Sequence, residues 1–245
     1  MRRILFSGLL LLSPAMADGI APIDAARCAG MTAHHVLTAT APVDCERLSL
    51  VTFSYVDFEG RPHGDGQIVV LDAVAPRLLR VFEALKARGF AIAKAKPVEA
   101  YEGDDDASMA DNNTSCFNDR AIAGTTRPSL HAYGVAIDLD PVQNPFLTLN
   151  GATVTVAPPA GAAYLNRRLH RPGKAERPGL AEEVVSLFAE NGFAHWGGDW
   201  DDPIDYQHFD IGRPLAEVLA ALPPEQARAR FEAAIAERLA TSKSP

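Results

Sequence analysis

The sequence lacks an excess of positive charge. Lys and Arg number 23 against 31 Asp and Glu, a formal net charge of −8 at pH 7. Nucleic-acid binding rests on neutralising phosphates, so this balance argues against that partner. Cysteine is scarce too, limited to Cys28, Cys45 and Cys116. Their spacing does not resemble a zinc ribbon. Cys28–Cys45 is the nearest pairing, Cys45–Cys116 is also open, and the sequence does not choose between them. A free Cys116 acting as a nucleophile is the weaker alternative. There is no internal repeat, no interdomain linker and no apolar run long enough to span a bilayer. What is present, 47% hydrophobic and 22% charged residues over a length of 245, is enough for one buried core.

Arg2 and Arg3 precede a short apolar run over 4–12, and Ala15-Met16-Ala17 is a small-x-small site. This pattern predicts a secretory signal at 1–17 that is cleaved, and hence an exported protein, periplasmic or secreted, in which disulfides can form. No cysteine follows the site directly, which argues against a lipid anchor, and no membrane span is expected after cleavage. Residues 18–46 read as an N-terminal extension with a short helix at 23–28. His34 and His35 there read as a surface pair.

Residues 48–58 are rich in β-branched and aromatic side chains and predict a strand. A second strand is expected at 67–71, with turn chemistry between, so the two form a hairpin with a long tip. Val74, Leu78, Val81, Phe82 and Leu85 recur at helical spacing, predicting a helix over 72–88 capped by Asp72 and stopped at Gly89. Further strands are expected at 90–95, 135–139 and 153–157. Leu180, Val184, Leu187 and Phe188 mark an amphipathic helix ending at Asn191-Gly192. Residues 214–222 and 224–239 predict two more helices. The stretch 101–120 reads as a long polar loop of the kind that often carries function. Asp104, Asp105 and Asp106 within it read as a solvated face, since regular calcium-ligand spacing is missing.

Two stretches concentrate the chemistry. In Ser129-Leu-His131-Ala-Tyr-Gly134-Val-Ala-Ile-Asp138-Leu-Asp140, His131 and Asp138 stand an odd number apart. On a regular strand they would face opposite sides. Gly134 supplies the irregularity that lets them converge. Asp138 lies between Ile137 and Leu139, where an unpaired carboxylate is costly. A metal resolves that cost, as would a salt bridge or backbone amides. Asp140 reads as a group behind the ligands. Downstream, Asp205 and His208 stand three apart, so a helical or turn-like segment sets them on one side. Two histidines and one carboxylate leave an open position on zinc, the arrangement of a hydrolytic site. Asp205 can then carry the proton, and Arg120 is the candidate donor to an oxyanion. A rival reading takes Asp138 and Asp205 as the carboxylate pair of a glycosidase, which has no need of the histidines.

The combination Ser129-x-His131-x-x-Gly134-x-Ala136-x-Asp138, Gly197-Gly198-Asp199-Trp200 and Asp205-x-x-His208-Phe209 resembles the zinc D-alanyl-D-alanine carboxypeptidase family, peptidase family M15. The likeness is to the branch of VanY-like carboxypeptidases and phage L-alanyl-D-glutamate endolysins. Ser108-Met109, Asn112-Asn113-Thr114-Ser115, Phe117-Asn118-x-Arg120 and Asn144-Pro145-Phe146 are similar to that branch as well. The resemblance runs from about Leu48 to Ile211. It implies an α+β single domain, an antiparallel sheet flanked by helices, of the lysostaphin and D-Ala-D-Ala peptidase (hedgehog/DD-peptidase) type. On this plan the peptidase domain spans 47–222 and a C-terminal helix 223–245. The resemblance further implies one zinc ion held by His131, Asp138 and His208. Asp205 would be general base and acid, a position where many relatives carry Glu. Arg120 would stabilise the tetrahedral intermediate, Ser129 would lie near the substrate, and Trp196 to Trp200 would build the site wall. The implied partner is a peptidoglycan stem peptide, cut at a terminal D-alanine or, alternatively, between L-alanine and D-glutamate. A non-catalytic cell-wall-binding module is the rival outside the enzyme class.

Overall fold

β1 (Gly19–Pro22) pairs antiparallel with β2 (Leu48–Val56), which pairs in turn with β3 (Pro62–Leu71). The computed structural model describes residues 17–241, so the expected signal, apart from Ala17, lies outside the described residues. β3 begins well before the expected position 67 because Asp57 closes the hairpin tip. Its buried carboxylate accepts hydrogen bonds from the amides of Glu59 and Arg61 and from the Arg61 and His63 side chains. Gly66 lets the strands meet beyond that point, since a Cβ there would lie 2.7 Å from the Phe53 carbonyl oxygen. The N-terminal extension is thus joined to the sheet, and its helix α1 (Ala25–Ala33) is tied down by a Cys28–Cys45 disulfide. Cys116 is free and buried.

α2 (Ala75–Ala87) buries Leu78, Val81, Phe82 and Leu85, and the Phe82 ring stacks on Phe53 with centroids 3.7 Å apart. Asp72 is not its cap, contrary to the sequence expectation. It pairs instead with Arg47, whose Nη1 and Nη2 also bond the Ala220 and Leu219 carbonyls. The contact is bidentate, which adds geometric specificity to the charge-assisted bonds. The strand expected at 90–95 forms only isolated bridges, Val56 to Ala91 and Ala95 to Thr114. The polar loop at 101–120 contains α3 (Asp105–Ala110), with Asp104 capping the Ala107 amide. The aspartate run is therefore not merely a solvated face: Asp104 caps, and Asp105 pairs with Arg120.

Beyond α3 the strands are short: β4 (Ala136–Asp138), β5 (Phe146–Asn150), β6 (Thr153–Ala157), β7 (His195–Trp196), β8 (Ile204–Asp205) and β9 (His208–Asp210). Among the described residues they form two sheets, ordered β4-β9-β7 and β6-β5-β8, beside β1-β2-β3. The fold is α+β as expected, but its strands lie in three small antiparallel sheets rather than one. Apart from the five-residue β5–β6 ladder these ladders are two or three residues long, and single contacts join the segments. Phe117 donates to the Val69 carbonyl, and Ser115 and Asp138 exchange backbone bonds of 3.0 Å. The helix expected from Leu180 splits into a 3-10 turn, Ala181–Glu183, and α4 (Val185–Glu190). α5 (Arg213–Ala221) and α6 (Pro224–Thr241) close the chain, with Phe231 and Ile235 of α6 buried. No helix among the described residues is long and apolar enough to cross a membrane.

The disulfide closes a loop over a sequence separation of 17. Replacing Cys28 and Cys45 together by Ser is expected to destabilise the chain by about 2–4 kcal/mol. Denaturant unfolding of the oxidised parent and the variant checks this; coincident midpoints would contradict it.

Candidate metal centre

His131 sits on a buried 3-10 turn, His131–Tyr133, that ends at Gly134. Gly134 has φ +67°, and a Cβ there would lie 2.6 Å from the Leu71 amide nitrogen. Both facts require glycine: the left-handed conformation, and the close approach that lets Leu71 donate to the Gly134 carbonyl at 2.9 Å. The chain then enters β4 with its phase reset, and Asp138 faces the same site as His131.

Asp138 and His208 are register partners across β4 and β9. Such pairs put their side chains side by side on one face. His208 Nδ1 lies 3.3 Å from Oδ1 of Asp138, and His131 Nε2 lies 3.2 Å from Oδ2. The two imidazole nitrogens are 3.3 Å apart. Zinc bonds of about 2.0–2.1 Å imply tetrahedral edges of roughly 3.3 Å, so the donor set is spaced for such an ion. His131, Asp138 and His208 are the group that could hold a metal among the described residues, all three buried.

The far side of each ring is held by an acceptor. His131 Nδ1 donates to the Cys116 carbonyl at 2.6 Å, which aims Nε2 at the cluster. His208 Nε2 donates to Asp210 Oδ2 at 3.1 Å, which aims Nδ1 there. Outer partners of this kind fix ring orientation and raise ligand basicity. Burial opposes charge on Asp138, yet the two histidines hold its carboxyl well below the usual carboxylate range. Burial likewise opposes a charged His208, but its bonds to Asp138 and Asp210 draw it up to about 10. A proton on Nδ1 and a metal ion are alternative occupants of that position, so ion binding releases the proton.

Asp205 ends β8, two residues short of β9, so Asp205 and His208 are separated by a turn rather than set on a helix. Burial, then the charge of Asp138, raises Asp205 to about 7 against the pull of His208 and His131. Its Oδ1 is buried with no hydrogen-bond partner. A carboxylate in that state can accept and release a proton near neutral pH.

The other expected residues make the following contacts. Ser129 is buried and its Oγ accepts from the His131 amide at 3.3 Å, so it shapes the turn that carries His131. Arg120 makes an ion pair with Asp105 at 2.8 Å. Trp196 donates to the Tyr206 carbonyl at 2.8 Å, lies over Gly198 and stacks on Phe209, bracing the loop between β7 and β8. Trp200, 38% exposed, has its ring 5.3 Å from that of His208 and is the open aromatic beside the cluster. Asp140 does not back the ligands. Its φ of +42° breaks the strand phase, and its Oδ1 accepts from the Ala93 amide at 2.8 Å. Asp210 was not expected. Its signal was the His208-x-Asp210 spacing, which on a strand sets both on one face. The Cys116 carbonyl, being backbone, has no sequence signal.

Residues 123–211, less than half of the chain, match the family model described as D-alanyl-D-alanine carboxypeptidase. The match takes in His131, Asp138, Asp205 and His208 and supports peptidase family M15, a family of hydrolases. It does not distinguish branches within the family. No curated protein and no solved structure matches the chain significantly.

If Asp210 orients His208, Asp210→Asn is expected to weaken metal affinity about 10–100-fold while the fold is kept. Competition against a chromogenic chelator reads the affinity, and circular dichroism reads the fold. Unchanged affinity would remove Asp210 from the site.

Proposed function

We propose that this chain is a zinc-dependent metallopeptidase that hydrolyses a peptide bond in peptidoglycan stem peptides, with removal of a terminal D-alanine as the reaction. The observation that carries the reading is the convergence of His131 Nε2, His208 Nδ1 and the Asp138 carboxylate at 3.2–3.3 Å spacings in a buried site. The family match over the same residues supports peptidase chemistry and peptidoglycan peptides as its substrate class. The predicted signal supports action outside the cytoplasm. A glycosidase built on Asp138 and Asp205 is disfavoured, because Asp138 is engaged by both histidines.

His131, Asp138 and His208 would hold one zinc ion. When bound, zinc polarises the scissile carbonyl and lowers the pKa of water toward about 7. Asp205 takes one proton from the attacking water as its oxygen bonds to the carbonyl carbon. The same carboxyl gives that proton to the amine nitrogen as the C–N bond breaks. Arg120 donates hydrogen bonds to the oxygen that carries the developing negative charge. The cysteine left outside the disulfide takes no part: burial pushes the Cys116 thiol well above its ordinary value, which disfavours a thiolate nucleophile.

Purified protein is expected to contain about one zinc per chain, and chelation by EDTA to abolish cleavage of purified muropeptides, followed by mass spectrometry. Activity that survives complete zinc removal would refute the mechanism. The masses released name the bond: loss of D-alanine supports the carboxypeptidase, and a cut after L-alanine replaces it by the endopeptidase. Asp205→Ala is expected to keep zinc and lower turnover about 10²–10⁴-fold. Loss of zinc with it would make Asp205 a ligand instead.

A further inference from the structure

Arg120 is gripped at one corner. Its Nη2 lies 2.8 Å from Oδ2 of Asp105, while its Nε is buried with no hydrogen-bond partner. An unpaired buried N–H is costly, and that cost disappears when a ligand brings an acceptor. Asp105 is itself held in place. It lies in the first turn of α3, where the helix dipole favours a carboxylate, directly after the capping Asp104. The other end of α3 is fixed to the site: Met109 accepts a hydrogen bond from Gln207 at 3.4 Å, and Gln207 adjoins His208. Asp105 and Met109 are one helical turn apart, about 6 Å of rise. On the opposite side, the Arg120 carbonyl accepts from the Ser129 amide at 2.9 Å, two residues before His131. Arg120 therefore links the segment leading to His131, through its backbone carbonyl, to α3, through its guanidinium.

We propose that Asp105 is a positioning residue of this site: by holding Arg120 at Nη2 it orients the unpaired Nε edge toward an oxygen of the bound peptide. The inference rests on the peptidase reading above, in which Arg120 serves the developing oxyanion. Asp105 never meets the substrate; its contribution passes through Arg120. A bidentate grip would occupy the donors that the reaction needs, whereas the grip seen here leaves Nε without a partner.

Steady-state kinetics of the full, zinc-loaded chain on a cleaved muropeptide test this, with Asp105→Ala, Asp105→Asn, Arg120→Ala and the Asp105→Ala/Arg120→Ala double variant. Asp105→Ala is expected to lower kcat about 10–100-fold with little change in KM. Asp105→Asn, which keeps the side-chain shape, is expected to lie between that variant and the parent. Adding Asp105→Ala to Arg120→Ala is expected to cost nothing further, because the two act as a unit. Zinc content and Tm are read for every variant, and Asp105→Asn decides the matter if Asp105→Ala fails to fold. A lower Tm with unchanged kcat would make the pair purely structural, and additive losses in the double variant would make the two residues independent; either overturns the proposal. If the parent cleaves and Arg120→Ala is impaired while both Asp105 variants are not, the positioning role falls and the peptidase reading stands. If the zinc-loaded parent cleaves no muropeptide, both fall together.

Discussion

Asp138 faces His208 across the β4–β9 ladder, and the site is organised around that contact. A buried carboxylate needs a cationic or hydrogen-bonding environment. Here His208 lies on one side of it and His131 on the other. Neither ring can turn away. The Cys116 carbonyl holds one and Asp210 holds the other, so the inner nitrogens are aimed at a common point. Protons and a metal cation would compete for the same inner atoms of this set.

That arrangement depends on packing some distance away. Gly134 must approach Leu71 closely enough to accept its amide, and Phe117 must donate to Val69, before Cys116 lies under His131. β3 is the common template for both contacts. On the other side, Phe209 points into the core between its neighbours in β9 and stacks on Phe188 at 4.1 Å and on Trp196 at 6.3 Å. Because β9 alternates, burying Phe209 turns His208 and Asp210 together to the opposite face. Core packing and ligand orientation are therefore set by the same three residues.

His208 and Asp205 are on different sheets. His208 lies in β4-β9-β7, and Asp205 lies in β6-β5-β8, paired with Phe146. Only Tyr206 and Gln207 separate them in the chain. Tyr206 is fixed by Trp196 at its carbonyl and by Arg167 over its ring at 4.3 Å. Arg167 also bonds to Asn144 and Glu182, so the irregular segment that follows β6 is anchored at the same place. A long stretch of non-repetitive chain is thus anchored beside the two residues that link Asp205 to His208.

Much of this was legible in the sequence, for specific reasons. The β2–β3 hairpin and α2 announce themselves by period, and the Gly134 break follows from an odd spacing that a strand cannot accommodate. The donor types of a metal site were visible because His131, Asp138 and His208 stand in an apolar background where uncompensated charge is costly. What the sequence could not express were contacts without local signature. Asp72 leaves its helix for Arg47, Asp105 leaves solvent for Arg120, and the Trp196 indole donates to the Tyr206 carbonyl. The pairing of Cys28 with Cys45, the division into three small sheets and the backbone acceptor beneath His131 were likewise decided in three dimensions. The chain by itself determined which side chains carry metal-donor and proton-accepting atoms. Only the tertiary structure decided which of them meet, because long-range register and close backbone approach, not residue type, set those distances.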